Sequence, residues 1–506
     1  MTARPGPRPF IHVALALPLA AAAGPLLDLA FPDVGAWYLI VPVTALILAL
    51  LVGRRAGTAL LLGFLTGLGF FLSHVSWTAL YLGPVPWAAL SVLQAIFFAV
   101  GALLITLAYR WTHGRGRLLS LVPPLLVAAL WTGREFVTGS WPYGGFAWGR
   151  LAHSQSESPL ADTVAWVGPL GLSFLLAFVA ALIVELFRGG RRRVLPRAAV
   201  AAAVAGALVA VPAWPVLTEG TLRVASVQGN GPAGYFDKRS PGDVLDAQVQ
   251  ATFPLRGTNP DLIVWPENGS DLNPLAVPRA AATLDLLSAE IGAPLLVGTI
   301  TGAGAELRNS SLLWRAGEGA VAQYDKRRPV PFGEYVPDRA FWEPLAPELI
   351  GLVARDYAPG TLSPVIDLDG VALGVSICFD IVDDELARET VQEGARIILA
   401  QTNNADFGQT DENEQQMAMT RLRAIETGRS IVSVSTVGRS ETIGPDGRTL
   451  QALTPFEAGQ MVVDVPLSSV TTPAVTVGSA LTLVIAIGGG VGLILAGILS
   501  RRRARR

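Results

Sequence analysis

The sequence predicts a polytopic α-helical membrane bundle of about eight spans that carries one extramembrane α/β domain of about 250 residues. Three observations lead there. The chain is 51% hydrophobic and 15% charged over 506 residues, with a mean hydropathy of +0.46, more apolar than soluble globular chains are. Its apolar segments approach the length a bilayer requires. From Gly220 the pattern changes to short β-rich runs alternating with polar helical stretches.

Seven apolar spans are expected over residues 11–30, 36–53, 58–77, 85–109, 118–137, 163–187 and 197–217, and an eighth over 476–499. Each is near the roughly 20 residues that cross the hydrocarbon core. Arg4 and Arg8 also suit a signal peptide, but the six spans behind the first favour a retained helix. Orientation follows from arginine placement. With the N-terminus in the cytoplasm, 17 arginines fall inside, among them Arg54, Arg55, Arg110, Arg115, Arg117, Arg188, Arg191–Arg193, Arg197 and the tail Arg501–Arg506, and only Arg134 and Arg150 fall outside. The expected organisation is a bundle over 1–218, an extracytoplasmic domain over 219–472, and a last helix with a basic cytoplasmic tail over 473–506. The outer loop near 138–162, with Trp141, Tyr143, Phe146 and Trp148, reads either as an interfacial aromatic belt or as a wall beside the domain.

Within the domain, strands are expected at Leu222–Val227, Leu262–Trp265, Pro294–Ile300, Ser311–Trp314, Val321–Tyr324, Val365–Leu368, Val371–Ile377, Arg396–Ala400 and Ile431–Ser435. Helices are expected near Asp243–Thr252, Arg279–Ile291, Asp383–Glu393 and Glu412–Thr427. An Asp369-Gly370 turn joins one strand pair, and a hairpin turns around Gly444–Arg448. Crossover helices mixed with hairpins argue a layered domain with both parallel and antiparallel pairs.

Composition then narrows the chemistry. Cys378 is the one cysteine, so an internal disulfide and Cys-rich metal sites are excluded. The four histidines, His12, His74, His113 and His153, all lie in the N-terminal half. Imidazole is therefore missing from the domain, which removes Ser-His-Asp and Cys-His pairs and histidine-based zinc. Setting aside the 14 basic residues of 1–219 and the five of the tail, 19 Lys and Arg face 33 Asp and Glu in residues 220–500. An acidic domain of this kind argues against nucleic acid as a partner.

Three stretches carry polar residues that bland packing does not explain. Leu262–Gly269 is an apolar strand that ends in Glu267, and open α/β sheets place chemistry at the C-terminal ends of strands. Tyr324–Pro337 is a loop fixed by three prolines and a glycine, from which Lys326 and Glu334 project; the membrane half contains no lysine at all. Val375–Ile381 holds Cys378 between an apolar run and the acidic Asp383-Asp384-Glu385, which reads as a strand, a tight exit and a helix start. A lone cysteine is most often a small buried hydrophobe. A thiol at a strand end, however, gains from a helix N-terminus and from a neighbouring cation, since its ordinary pKa of about 8.5 leaves it protonated at neutral pH. A thiol, a carboxylate and an ammonium without histidine suit acyl transfer through a thioester. Glu267 would take the thiol proton, Cys378 would attack the carbonyl, and Lys326 with the N–H after Cys378 would hold the oxyanion.

In this order, Glu267 of Trp-Pro-Glu-Asn, Lys326 of Tyr-Asp-Lys and Cys378 of Ile-Cys-Phe-Asp resemble the Glu-Lys-Cys triad of the nitrilase (carbon–nitrogen hydrolase) superfamily. The segment Val330–Pro337, with seven spans before the domain and one after, is similar to the apolipoprotein N-acyltransferases. The resemblance implies an αββα nitrilase-like domain on a membrane bundle, in a bacterial inner membrane. It implies a phospholipid acyl donor, the diacylglyceryl-cysteine of an apolipoprotein as acceptor, a monomer, and no cofactor or metal. Glu267, Lys326 and Cys378 would be catalytic, and Glu334, Phe379 and Asp380 supporting. Departures are visible: Phe379-Asp380 stands where the family more often has Tyr-Glu, Asp406 where it has Trp, and Tyr235-Phe236 where a Trp is expected. These change the walls of the site rather than its triad.

The membrane suits such chemistry, because drawing an acyl chain into water costs about 0.8 kcal/mol per methylene. A membrane-tethered amidase or nitrilase-type hydrolase, in which water intercepts the thioester, remains the alternative. A transporter or sensor would place charged residues deep within spans, and few are there: Asp28, Asp33, Arg134, Glu135 and Glu185 lie near span ends.

Overall fold

Each of the eight apolar segments is helical in the computed structural model, which describes residues 7–113, 121–188, 194–303 and 306–505. Arg4, Arg115, Arg117, Arg191–Arg193 and Arg506, which carry part of the orientation argument, lie outside the described residues. The helices are α1 (Val13–Asp28), α2 (Ile40–Leu51), α3 (Ala56–His74), α4 (Pro84–Trp111), α5 (Val122–Thr138), α6 (Val164–Arg188), α7 (Val194–Val209) and, at the chain's end, Pro473–Arg505. Among the described residues four are long and apolar enough to cross a membrane: Ala56–His74, Pro84–Trp111, Ala161–Arg188 and Pro473–Arg502. The others stop short for local reasons. Trp37–Leu39 forms a 3₁₀ turn ahead of α2, and Pro212 and Pro215 follow α7 closely, where proline disfavours helix in the residue before it.

Residues 1–79, 83–213 and 476–506 make one compact unit, and 80–82 with 214–475 the other. In the bundle, α3 and α4 pack through small residues. A Cβ at Gly63 would lie 2.5 Å from Ala102 Cβ, and one at Gly67 would lie 2.6 Å from Phe98 Cβ, so glycine permits the close backbone approach on which helix association in lipid relies. Among the titratable groups in the bundle, His74, Asp28 and Glu135 find partners, as burial in a bilayer favours. His74 Nδ1 meets Asp28 Oδ1 at 2.8 Å, and Trp131 Nε1 donates to Glu135 Oε1 at 2.8 Å.

The second unit is a four-layer sandwich. Its strands are β1 (Thr221–Gln228), β2 (Leu262–Val264), β3 (Leu295–Ala303), β4 (Glu306–Arg315), β5 (Gly319–Asp325), β6 (Val365–Leu368), β7 (Val371–Ile377), β8 (Ile397–Thr402), β9 (Ile431–Ser435), β10 (Glu441–Ile443), β11 (Thr449–Ala452) and β12 (Gly459–Pro466). They form two six-stranded sheets, ordered β12-β1-β2-β3-β4-β5 and β11-β10-β9-β8-β7-β6. β1, β2 and β3 run parallel, as do β7, β8 and β9, while the outer pairs are antiparallel. The mixture expected from the sequence is thus present, and β12, which the sequence analysis did not assign, closes the first sheet against β1.

Period-two alternation assigns each face. Leu222, Val224, Leu262 and Val264 point between the sheets, where they pack with Leu373, Val375, Ile377, Leu399, Val432 and Val434. Their neighbours Ala225, Ile263 and Trp265 point outward onto a second core with Leu245, Ala280, Leu284 and Leu287, which belong to α8 (Asp243–Thr252) and α9 (Pro278–Ile291). On the other flank lie α10 (Asp384–Gln392) and α11 (Glu412–Thr427), with a Cβ at Gly374 of β7 barred by Thr390 of α10 at 2.5 Å. The final helix Pro473–Arg505 is α12.

Candidate active site

Three strand ends deliver the three predicted groups. β2 is three buried residues long, and the chain leaves it through Trp265-Pro266 to Glu267. Gly298 on β3 permits that exit, since a Cβ there would lie 2.2 Å from the Pro266 carbonyl oxygen and 2.8 Å from Glu267 Cα. Across the sandwich, Gln401 Nε2 holds the same bend by donating to Trp265 O at 2.6 Å. Lys326 follows β5 with its backbone pinned on both sides: its N–H donates to Asn309 O at 2.8 Å and its carbonyl accepts from Gly360 N at 2.8 Å. Cys378 follows β7.

The cysteine sits at φ +49°, a left-handed conformation that costs a side-chain-bearing residue about 1–3 kcal/mol and persists only where surroundings impose it. Asp380 imposes it from one side. Its carboxylate accepts from Tyr324 Oη at 2.8 Å, Arg328 N at 2.8 Å and Ile377 N at 3.2 Å, tying the ends of β5 and β7 together. Burial pushes that carboxyl up to about 6, against the pull of Lys326 and these donors. Arg423 of α11 acts from below, donating to Ile381 O and Val382 O at 3.1 Å each. Phe379, the next residue in the chain, is half-buried. The structure corrects one expectation here. Cys378 opens a single 3₁₀ turn, Cys378–Val382, and the α-helix begins only at Asp384, capped by Asp383. A helix dipole acts within its first turn, so α10 does not provide the thiolate stabilisation that the motif suggested.

Lys326 Nζ lies 3.2 Å from Glu267 Oε1 and 2.9 Å from Glu334 Oε2. Asn309 Nδ2 bridges the same two carboxylates, at 2.6 Å to Glu267 and 3.1 Å to Glu334. Val330 N anchors Glu334 Oε2 at 2.7 Å. One ammonium thus stands between two acids in a buried place. Burial and the charge of Glu334 raise the Glu267 carboxyl against the pull of Lys326 and Asn309. Burial opposes the lysine's charge, but Glu267, Glu334, Cys378 and Asp380 outweigh it and hold Lys326 well above its ordinary value. The sulfur differs from expectation. Burial first, and then Glu267, push the Cys378 thiol well above its usual value, and Lys326 only partly counters them. The resting sulfur therefore keeps its proton, and nucleophilic attack requires the proton to leave as the new bond forms.

Asn309 was missed by sequence reasoning, because the strand expected at Ser311–Trp314 begins at Glu306 in the structure and so takes in Asn309. Glu412 was missed as well. It is buried, and its Oε2 accepts from Asn404 Nδ2 at 2.6 Å. Burial, with the charge of Glu267, pushes its carboxyl up to about 8 from 4.5. A raised folded-state value contributes stability that is complete below about 4.5 and lost as pH rises towards about 8. Glutamine mimics the protonated acid and still accepts from Asn404. Glu412→Gln should therefore match the parent's unfolding temperature near pH 4.5 and exceed it by several degrees at pH 8–9. A difference between the two proteins that stays constant across this range would contradict the raised value.

The family departures have a structural outcome. Asp406 Oδ1 accepts from Tyr235 N at 2.7 Å, so the residue that stands for the expected tryptophan anchors the loop that carries Tyr235 and Phe236. Tyr81 donates to Gly333 O at 3.0 Å, and its ring centroid lies 6.2 Å from Tyr235, 6.3 Å from Phe236 and 6.4 Å from Phe407. Tyr81 thus links these aromatics to the Phe332–Glu334 loop.

Comparison with known proteins bears on most of the chain. Residues 23–182 match the apolipoprotein N-acyltransferase N-terminal domain, and residues 223–473 match the carbon–nitrogen hydrolase family. An apolipoprotein N-acyltransferase from Mycolicibacterium smegmatis is 32% identical over 66% of this chain, and the match spans 60% of that protein's length. One from Shewanella oneidensis is 28% identical over 82% of this chain and 81% of its own, and one from Azotobacter vinelandii is 32% identical over 82% and 80%. Among solved structures, an amidase from Nesterenkonia sp. aligns with 50% of this chain and 94% of its own at 21% identity, with a TM-score of 0.39. Two adjoining domain matches in the right order, and 32% identity across four-fifths of both the chain and its Azotobacter relative, establish that the protein belongs to the apolipoprotein N-acyltransferase family.

Proposed function

We propose that the protein transfers a fatty acyl chain from a phospholipid, through a thioester on Cys378, to the N-terminal α-amine of the diacylglyceryl-cysteine of an apolipoprotein. The observation that carries the reading is the Glu267–Lys326–Glu334 cluster, whose charges act on a half-buried cysteine at a strained strand exit. In the first half-reaction the Cys378 S–H proton passes to Glu267 while sulfur attacks the ester carbonyl. Lys326 and the Phe379 N–H meet the developing oxyanion. Collapse breaks the carbon–oxygen bond, and the departing lysophospholipid alkoxide takes the proton from Glu267. In the second, the acceptor amine attacks the thioester, Glu267 removes its proton, the carbon–sulfur bond breaks, and the thiolate recovers that proton. Glu334 and Asn309 orient Lys326 and Glu267 throughout.

Membrane residence supports this reading, since both substrates are lipids whose reacting groups lie at headgroup level. We infer further that the chain crosses the bacterial inner membrane several times with the sandwich on the outer side, on the strength of the arginine bias. The test is the intact mass of the purified protein. Incubation with phospholipid should add one fatty acyl group to Cys378, and a diacylglyceryl-cysteine peptide should then remove it. Protein that acquires no adduct under these conditions would rule out phospholipid as donor, and an adduct lost to water without acceptor would favour the hydrolase.

A further inference from the structure

We propose that Gln416 is an additional catalytic residue: its side-chain amide donates a hydrogen bond to Cys378 Sγ and stabilises negative charge on sulfur when the thiolate forms and again when it leaves the thioester. Thr402, Asn404 and Ser435 are positioning residues that fix which end of the amide faces the sulfur. The inference rests on the reading of Cys378 as nucleophile.

Gln416 lies on the buried face of α11, four residues after Glu412, with Nε2 3.9 Å from Cys378 Sγ. An amide can present either its oxygen or its nitrogen, and the surrounding hydrogen bonds select the nitrogen. Gln416 Oε1 accepts from Asn404 Nδ2 at 3.2 Å and, 3.1 Å from Thr402 Oγ1, shares that hydroxyl's one proton with Asn404 Oδ1. Asn404 is itself fixed. Its Nδ2 also donates to Glu412 Oε2 at 2.6 Å, and its Oδ1 accepts from Thr402 Oγ1 at 2.7 Å and Ser435 Oγ at 3.0 Å. Flipping Gln416 would set its NH₂ against that of Asn404 and its oxygen against the sulfur. The donor end is therefore held on Cys378 by a chain that starts at a buried carboxyl. Gln416, Thr402, Asn404, Glu412 and Ser435 are all buried, and hydrogen bonds in such surroundings are stronger than in water.

The sulfur needs such a donor. The charged or titratable groups acting on it are Glu267, Glu334 and Glu412, which oppose a thiolate, and Lys326, which favours one. Lys326 is already shared between two carboxylates. A neutral amide lowers the cost of charge on sulfur without adding a cation that would disable Glu267 as a base.

Because Cys378 is the protein's one cysteine, alkylation by iodoacetamide reads this sulfur alone. The full chain in detergent is alkylated across pH 6–11, and acylation by phospholipid is followed by intact mass in a single turnover. Removing the donor with Gln416→Met should raise the alkylation midpoint by about one pH unit and slow acylation about tenfold. Gln416→Glu, which keeps the shape but sets an acceptor on the sulfur, should raise the midpoint further. Thr402→Val, which loosens the amide, should shift it in the same direction by less, and decides the matter if the Gln416 variants do not fold. A residue that merely packs would lower the unfolding temperature and leave the midpoint where it was. Parent-like midpoints in the folded variants overturn the proposal. If instead the midpoints move but the parent takes no acyl group from phospholipid, the sulfur contact stands and the acyl-transfer reading fails.

Discussion

Cys378→Ala is expected to leave a folded protein that transfers no acyl group, with turnover reduced by at least about 10⁴-fold. No other thiol exists in the chain to substitute for it. The loss should not come from the fold. Alanine at φ +49° meets the same backbone cost that cysteine already meets, and Asp380, Arg423 and Tyr324 hold the turn through contacts that do not involve the sulfur. Cys378→Ser should be nearly as inactive. A hydroxyl is far less acidic than a thiol, and the site already resists charge on this atom: burial and Glu267 push even the thiol upward. The measurement is transfer of a labelled acyl group from phospholipid to a diacylglyceryl-cysteine peptide, alongside thermal unfolding. An alanine variant that turned over within tenfold of the parent would eliminate the thioester.

The residues that carry charge were legible in the sequence because each stands at a break in a pattern. Glu267 ends an apolar strand, Lys326 opens a Pro-rich loop in a chain nearly devoid of lysine, and Cys378 interrupts a strand-to-helix passage. β6, β7, α8, α11 and β9 match their expected boundaries, since each is a periodic run closed by turn residues or by an acidic cap. β12 was not found. It pairs with β1 across the whole length of the domain, Thr221 against Pro466, and local patterning does not encode so distant a partner. The same limit hid Asn309, Asn404, Glu412 and Gln416. Each is an ordinary polar residue within a strand, a loop or a helix until folding buries it beside a charge. The sign of the thiol's shift was also out of reach. Sequence supplies the cation next to the sulfur, but only the folded structure shows that the cation is shared between Glu267 and Glu334 and that burial dominates.

Lys326→Met should cost at least about 10³-fold in acyl transfer, more than the 10²–10³ expected for one oxyanion donor, because the ammonium does two things. In the proposed mechanism it would face the carbonyl oxygen, and it would be the counter-charge that keeps Glu267 able to accept a proton. Methionine fills similar volume but leaves Glu267 and Glu334 buried against each other, and breaking a buried pair in this way costs about 3–5 kcal/mol if both acids stay charged. They avoid part of that cost by taking up a proton. The carboxyl of Glu267, already raised by burial and by Glu334, rises further once its opposing cation is gone, and so does the thiol. A protonated Glu267 cannot remove the proton from sulfur. The sign of the pH dependence follows: whatever activity the variant retains should increase as pH rises and frees the carboxylate, with its acidic limb displaced upward from the parent's. Stability should move the same way as in any protein that gains a buried proton, falling with pH more steeply than the parent's. The pH–rate profile and the unfolding temperature of Lys326→Met, measured together from pH 6 to 9, test both roles. A displaced acidic limb with little loss at its plateau would leave Lys326 as a guardian of Glu267 alone, whereas a uniform loss with an unmoved limb would leave it as an oxyanion donor alone; a parent-like profile would deny it either part.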